Sequence, residues 1–164
     1  MPLIGILSDT HTYLGKFVYT FFDDCDEIWH AGDIGSLEIL QQLQQFKPVR
    51  AVYGNIDGQD IRKEIPEQQI FEYNGLNVYL KHIVGYPSHY TKEAVLVFHK
   101  NKFDLVVAGH SHILRIMYDK THRFLFINPG AAGIFGDHRQ ITLLKVHIDQ
   151  NIIKDVDIWS KDKQ

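Results

Sequence analysis

The stretch PLIGILSDTH, residues 2–11, is an apolar run that stops at Ser8, Asp9 and His11. A short apolar run closed by polar residues reads as a strand buried on both faces. The pattern returns in DEIWHAGD, residues 26–33, ending at Asp33, and in VRAVYGN, residues 49–55, ending at Gly54 and Asn55. KFVYTFFDD, residues 16–24, reads as a helix between the first two strands. SLEILQQLQQF, residues 36–46, repeats Leu37, Leu40 and Leu43 at helical spacing, with Ser36 as N-cap and Pro48 as stop. Strand, helix, strand, helix, strand is the order of parallel strands joined by crossover helices. Open α/β sheets place ligands outside the carboxyl ends of such strands, where the polar residues fall here.

Downstream, QIFEYNGLNVYLKH, residues 69–82, carries Asn74-Gly75 between two strand-like runs, a strong hairpin signal. SHYTKEAVLVFHKN, residues 88–101, reads as a helix. FDLVVAGHSH, residues 103–112, is a further buried strand with His110 and His112 at its exit. LRIMYDKTHRFLFINPG, residues 114–130, predicts a second hairpin turning near Lys120 to His122. Residues 140–159 predict a third, turning near Asp149 to Asn151. The second half thus reads as mostly antiparallel. No repeat, low-complexity segment or linker interrupts the chain, so residues 1–164 are expected to form one domain.

Composition narrows the class. Of 164 residues, 45% are hydrophobic and 23% charged, as in an ordinary globular protein. The net charge of -3 lacks the basic excess of a wholesale nucleic-acid binder. No apolar run reaches the ~18 residues that suggest a membrane span, so no membrane partner is expected. The N-terminus has no basic segment before its apolar run and reads as a first strand, not a signal peptide. The single cysteine, Cys25, fits a reducing cytoplasm.

Seven polar groups follow apolar strands: Asp9, His11, Asp33, Asn55, His82, His110 and His112. Singly, each has an ordinary reading. Asp9 would cap a helix, Asp33 and Asn55 would sit in turns, His11 would face solvent, and His82 would be a satisfied strand-end residue. Together, at converging strand ends, they would be costly to gather without positive charge between them. A pair of divalent metal ions supplies it. Imidazole, carboxylate and amide oxygen suit manganese, iron, nickel or zinc, and the lack of thiolates argues against a closed structural zinc site. Gly32, Gly54 and Gly109, each just before a proposed ligand, permit a sharp turn or a close backbone approach.

In this order, DTH, GD, GN, a lone histidine after a strand, and GHSH resemble the motifs of the calcineurin-like metallophosphoesterases. The short chain and the NPG after the last motif resemble more narrowly the small YfcE-type phosphodiesterases, whose eukaryotic relative is the retromer subunit Vps29. The resemblance implies a four-layer αββα sandwich of two mixed β-sheets flanked by helices. It implies that Asp9, His11 and His112 bind one metal, that Asn55, His82 and His110 bind the other, and that Asp33 bridges them. Asp33, Asn55 and His82 would also be catalytic. The cofactors would be two divalent ions, manganese first, with nickel, iron, zinc and magnesium as other candidates. The implied activity is hydrolysis of a small phosphodiester by a hydroxide that the two ions activate. The alternative is a Vps29-like interaction scaffold with weak or no catalysis. A homodimer or homotetramer is the assembly such relatives suggest.

Two positions depart from the family pattern. Larger relatives carry histidine after the asparagine, where it can protonate the leaving group; here Ile56 stands there. General-acid help of ~10²–10⁴-fold would be missing, which favours aryl leaving groups. Ile83 follows His82 where glycine is common, and His89 is the fallback ligand. His30, His99, His122, His138 and His147 are given no chemistry, and Asn128 a structural turn.

Overall fold

The computed structural model describes residues 1–164. Strands β1 (Leu3–Leu7), β2 (Glu27–His30) and β3 (Val49–Ala51) run parallel, joined through helices α1 (Lys16–Phe21) and α2 (Leu37–Phe46). The long hairpin β11 (Gln140–Asp149) and β12 (Ile152–Asp162) adds antiparallel to β1, giving the sheet order β12-β11-β1-β2-β3.

The second sheet has the order β4-β5-β8-β10-β9. It holds the hairpins β4 (Gln68–Tyr73)/β5 (Leu76–Lys81) and β9 (Leu114–Asp119)/β10 (Phe124–Pro129), with β8 (Leu105–Val107) between them. The three predicted hairpins form, and Asn74 and Gly75 take the positive φ of 51° and 85° that their turn requires. As expected, this half is mostly antiparallel, through the three hairpins and β11 on β1, with the exception at the centre of the second sheet. Strands β5, β8 and β10 are mutually parallel, because helix α4 (Lys92–Lys100) carries the chain back between β5 and β8.

Other boundaries shift. The third strand stops at Ala51, short of Asn55, and α1 stops at Phe21. Ser36 occupies the N-cap of α2, yet its side chain makes no capping bond. Thr91 does cap α4, accepting from the Ala94 amide at 3.1 Å. A short helix α3 (Gln59–Arg62) and a two-stranded ribbon, β6 (Gly85–Tyr86) and β7 (His89–Tyr90), are additional.

Three apolar clusters account for the layers. Ile4, Ile6 and Trp29 of one sheet pack with Val78, Leu80, Val107 and Ile127 of the other. Val18, Phe22, Leu40 and Leu43 cover the outside of the first sheet, and Ala94, Phe98 and Phe103 cover the second around Tyr79 and Phe126. Fully burying one such side chain is worth ~1.5–3 kcal/mol. No helix is long and apolar enough to cross a membrane.

Register positions the site. Leu7 pairs with His30 and His30 with Ala51, so β1, β2 and β3 end level. Leu80 pairs with Val107 and Val107 with Ile127, so β5 ends one residue beyond β8 and β10 two residues beyond it.

Candidate metal centre

All seven side chains meet at these strand ends. Nitrogen or oxygen atoms of Asp9, His11 and His112 lie within 4.8 Å of one another, and those of Asp33, His82 and His110 do likewise. Asn55 Oδ1 joins the second trio, 3.0 Å from His82 Nε2 and 3.1 Å from His110 Nδ1. Asp33 Oδ2 touches both sets, 3.5 Å from His11 Nε2 and 3.2 Å from His82 Nε2. His89 lies outside both groups, stacked on Tyr86 in the ribbon.

The loops holding these groups are strained. Asp9, His11, Asp33, His110 and His112 all have φ between 45° and 74°. That left-handed conformation costs roughly 1–2 kcal/mol per non-glycine residue and persists only where surroundings enforce it. Gly54 makes room for Asp33, since a Cβ there would stand 2.1 Å from Asp33 Oδ1.

Fixed donors orient the carboxylates. Asp9 Oδ2 accepts from the Ser8 hydroxyl at 2.6 Å and the His110 amide at 3.1 Å. Its other oxygen faces His112 Nε2 at 3.1 Å, with His11 and His82 nitrogens at 3.7 and 3.9 Å. Asp33 Oδ1 accepts from the Ile56 amide at 3.0 Å. His82 donates through Nδ1 to the Ala31 carbonyl at 2.7 Å. The His82 Nε2 lone pair of the neutral ring therefore faces oxygen atoms, an arrangement that needs a cation or a proton between them.

The electrostatics say the same. Burial alone would raise the Asp9 carboxyl, but His11 and His112 draw it far below the usual carboxylate range. Burial likewise opposes ionisation of Asp33, and His82 and the Ile56 amide outweigh it. Contact with Asp9 raises the His11 imidazole, against its own burial. Burial would lower His82, but Asp33 and Asp9 raise it. Protons on these rings stand in for the positive charge that a metal would supply on displacing them. His11 Nε2 is buried with no hydrogen-bond partner at all. That orphaned nitrogen, and a donor set free of thiolate, fit divalent ions.

Several supporting residues escaped the sequence reading. Asp57, 3% exposed, accepts from the amides of Ile34 at 3.1 Å, Gly35 at 2.9 Å and Gly54 at 2.8 Å. It ties the Asp33 loop to the Asn55 loop, and its only sequence signal is a carboxylate two residues after Asn55. His30 sits behind the site, where Gly32 donates to its Nδ1 and its Nε2 donates to Thr10. Burial pushes its pKa down to about 4 and keeps it neutral. His138 bonds the Gly133 carbonyl at 2.8 Å and meets His112 edge-on at 5.1 Å, closer to the centre than a free surface loop. Asn128 is structural, as expected: it donates to the Gly109 carbonyl and Ser111 and accepts from Gly130. His99 is exposed on α4, away from the site.

A cleft of about 900 Å³ opens beside His110 and His112, walled by Ile113, His138 and Arg139. A smaller one of about 270 Å³ lies against Asn55 and His82, walled by Ile83, Arg62 and Lys81.

A centre of this composition, at the ends of two facing parallel strand sets, defines a metallophosphoesterase class of site. The chain belongs to the calcineurin-like phosphoesterase superfamily, whose domain matches residues 3–151. It is 34% identical over 138 residues to a probable metallophosphoesterase of Methanocaldococcus jannaschii, covering 80% of this chain and 69% of the relative. It is 32% identical over 139 residues to a probable metallophosphoesterase of Methanothermobacter thermautotrophicus, covering 80% and 78%. Among solved structures it shares its fold with an archaeal phosphodiesterase (TM-score 0.77, 23% identity, covering 97% of this chain and 99% of the other). It also shares it with zinc-complexed Vps29 of Entamoeba histolytica (TM-score 0.73, 16% identity, 99% of both chains). The αββα arrangement expected from the motifs is therefore the arrangement found.

Proposed function

We propose that the chain is a phosphodiesterase working at two divalent ions. Asp9, His11 and His112 would hold one ion, Asn55, His82 and His110 the other, with Asp33 between them. The supporting observation is the single Asp33 oxygen within 3.5 Å of His11 and 3.2 Å of His82, one residue from each set. Bound divalent ions lower the pKa of a water so that hydroxide exists near neutral pH, and they neutralise charge on phosphoryl oxygens. The protein's part is to hold seven donors in place through Ser8, Ala31, the Ile56 amide and Asp57. Ile56 has no proton to give, so the leaving group departs without help from that position and aryl diesters are the better substrates. Manganese is the first choice of metal.

The competing reading is a Vps29-like scaffold, favoured by the isoleucine at 56. The full ligand set weighs for the enzyme. The test is hydrolysis of bis(p-nitrophenyl) phosphate after chelation and then with added Mn²⁺. Activity is expected only on metal addition. A protein that stays inactive with every divalent ion tried would be the scaffold.

A further inference from the structure

Apolar side chains stand among polar ones at the mouth of the centre, whose clefts are also lined by His138, Arg139, Arg62 and Lys81. Ile56, Ile83 and Ile113 directly follow the ligands Asn55, His82 and His112, and they are 46%, 37% and 57% exposed. Phe135 is 66% exposed and lays its ring on His11, centroids 5.1 Å apart at 27°. Tyr86 shares a small cleft with Ile113. Single exposed apolar residues are unremarkable on a protein surface, but their collection around one polar centre is not. The side chains of Ile56, Ile83, Ile113 and Phe135 carry no hydrogen-bond donor or acceptor.

Their placement matches the shape of a diester. A phosphodiester has two ester arms diverging from one phosphorus. Two clefts adjoin the centre as well, one against His110 and His112 with Ile113 on its wall, the other against Asn55 and His82 with Ile83 on its wall. With phosphate at the centre, each arm leaves past an isoleucine.

Building on the phosphodiesterase reading, we infer that the substrate is a phosphodiester with at least one extended hydrocarbon ester group, alkyl or aryl. Removing apolar area from water is the term these apolar side chains add to binding.

The test measures binding of monoester probes to Mn²⁺-loaded protein by calorimetry. Inorganic phosphate, methyl phosphate, butyl phosphate, octyl phosphate and phenyl phosphate are compared. Octyl or phenyl phosphate is expected to bind at least ~10-fold tighter than methyl phosphate. A rise along methyl, butyl and octyl identifies an alkyl arm, and a preference for phenyl over butyl identifies an aryl arm. In an Ile83→Ser/Ile113→Ser variant, the affinity ratio of octyl to inorganic phosphate should fall toward 1, with inorganic phosphate as the internal reference. Equal affinity for methyl, octyl and phenyl phosphate would overturn the inference, as would a double variant that keeps the full ratio. In both cases the phosphodiesterase reading would stand. Failure of inorganic phosphate itself to bind the Mn²⁺-loaded protein would remove that reading and the inference together.

Discussion

His82 donates its Nδ1 proton to the carbonyl oxygen of Ala31 across 2.7 Å. That one bond joins β5 of the second sheet to the loop after β2 of the first, and it selects the ring tautomer. The Nε2 lone pair is left facing Asn55 and Asp33. A neutral ring held this way by a second partner is the usual state of a metal-ligating histidine.

The first prediction concerns metal count. Wild-type protein is expected to bind two Mn²⁺ per chain in calorimetric titration, and His82→Ala one, because Asp9, His11 and His112 remain. Asp33→Ala should weaken both sites, with activity down ~100-fold or more, since loss of even a supporting partner costs 10–100-fold. His99→Ala should match wild type. Equal behaviour of the Asp33 and His99 variants would show the ligand assignment to be wrong.

Asp57 makes a separate prediction about stability. Asp57→Ala leaves two buried amides, of Ile34 and Gly54, and the partly buried Gly35 amide without their acceptor. A loss of roughly 3 kcal/mol or more is expected in urea denaturation, since each unmet buried donor costs about 1–3 kcal/mol. Asp57→Asn keeps one acceptor oxygen and should lose less. A variant as stable as wild type would mean the two loops are held by something else.

Asp119 governs a pH effect far from the metal centre. Burial opposes its charge, but Tyr90 (2.5 Å), His122 and the amides of Thr121 and His122 hold its carboxyl below the usual range. The folded state therefore releases this proton more readily than the unfolded chain. The stabilisation is complete above the ordinary carboxylate pKa of about 4 and disappears as pH falls through the lower folded value. The stability gap between wild type and Asp119→Asn should be constant from pH 7 to 5 and shrink below about 4. A gap that widens on acidification would reverse the sign and refute the assignment.

Ile56 offers a gain-of-function test. Its backbone amide serves Asp33, while its side chain is half-exposed at the mouth. Ile56→His keeps the amide and adds a proton donor. Hydrolysis of alkyl diesters should rise by ~10-fold or more relative to aryl diesters, whose leaving groups need no proton. An unchanged alkyl-to-aryl ratio in steady-state assays would place the leaving group elsewhere.

Much of this protein is written in local sequence. Apolar runs that end in aspartate, asparagine or histidine mark the buried strands, and Asn74-Gly75 fixes a hairpin, because side-chain burial and turn conformation act over a few residues. The same logic singled out all seven donors by position. What lies between distant residues was not legible. The parallel pairing of β5 with β8 and of β8 with β10 depends on where α4 packs. The three amide bonds of Asp57, the Ala31 partner of His82 and the stacking of Phe135 on His11 each join groups far apart in the chain. Backbone amides and carbonyls are the same at every residue, so a bond to one of them leaves no mark in the sequence. Only the closed tertiary structure decides which amide or carbonyl comes within reach.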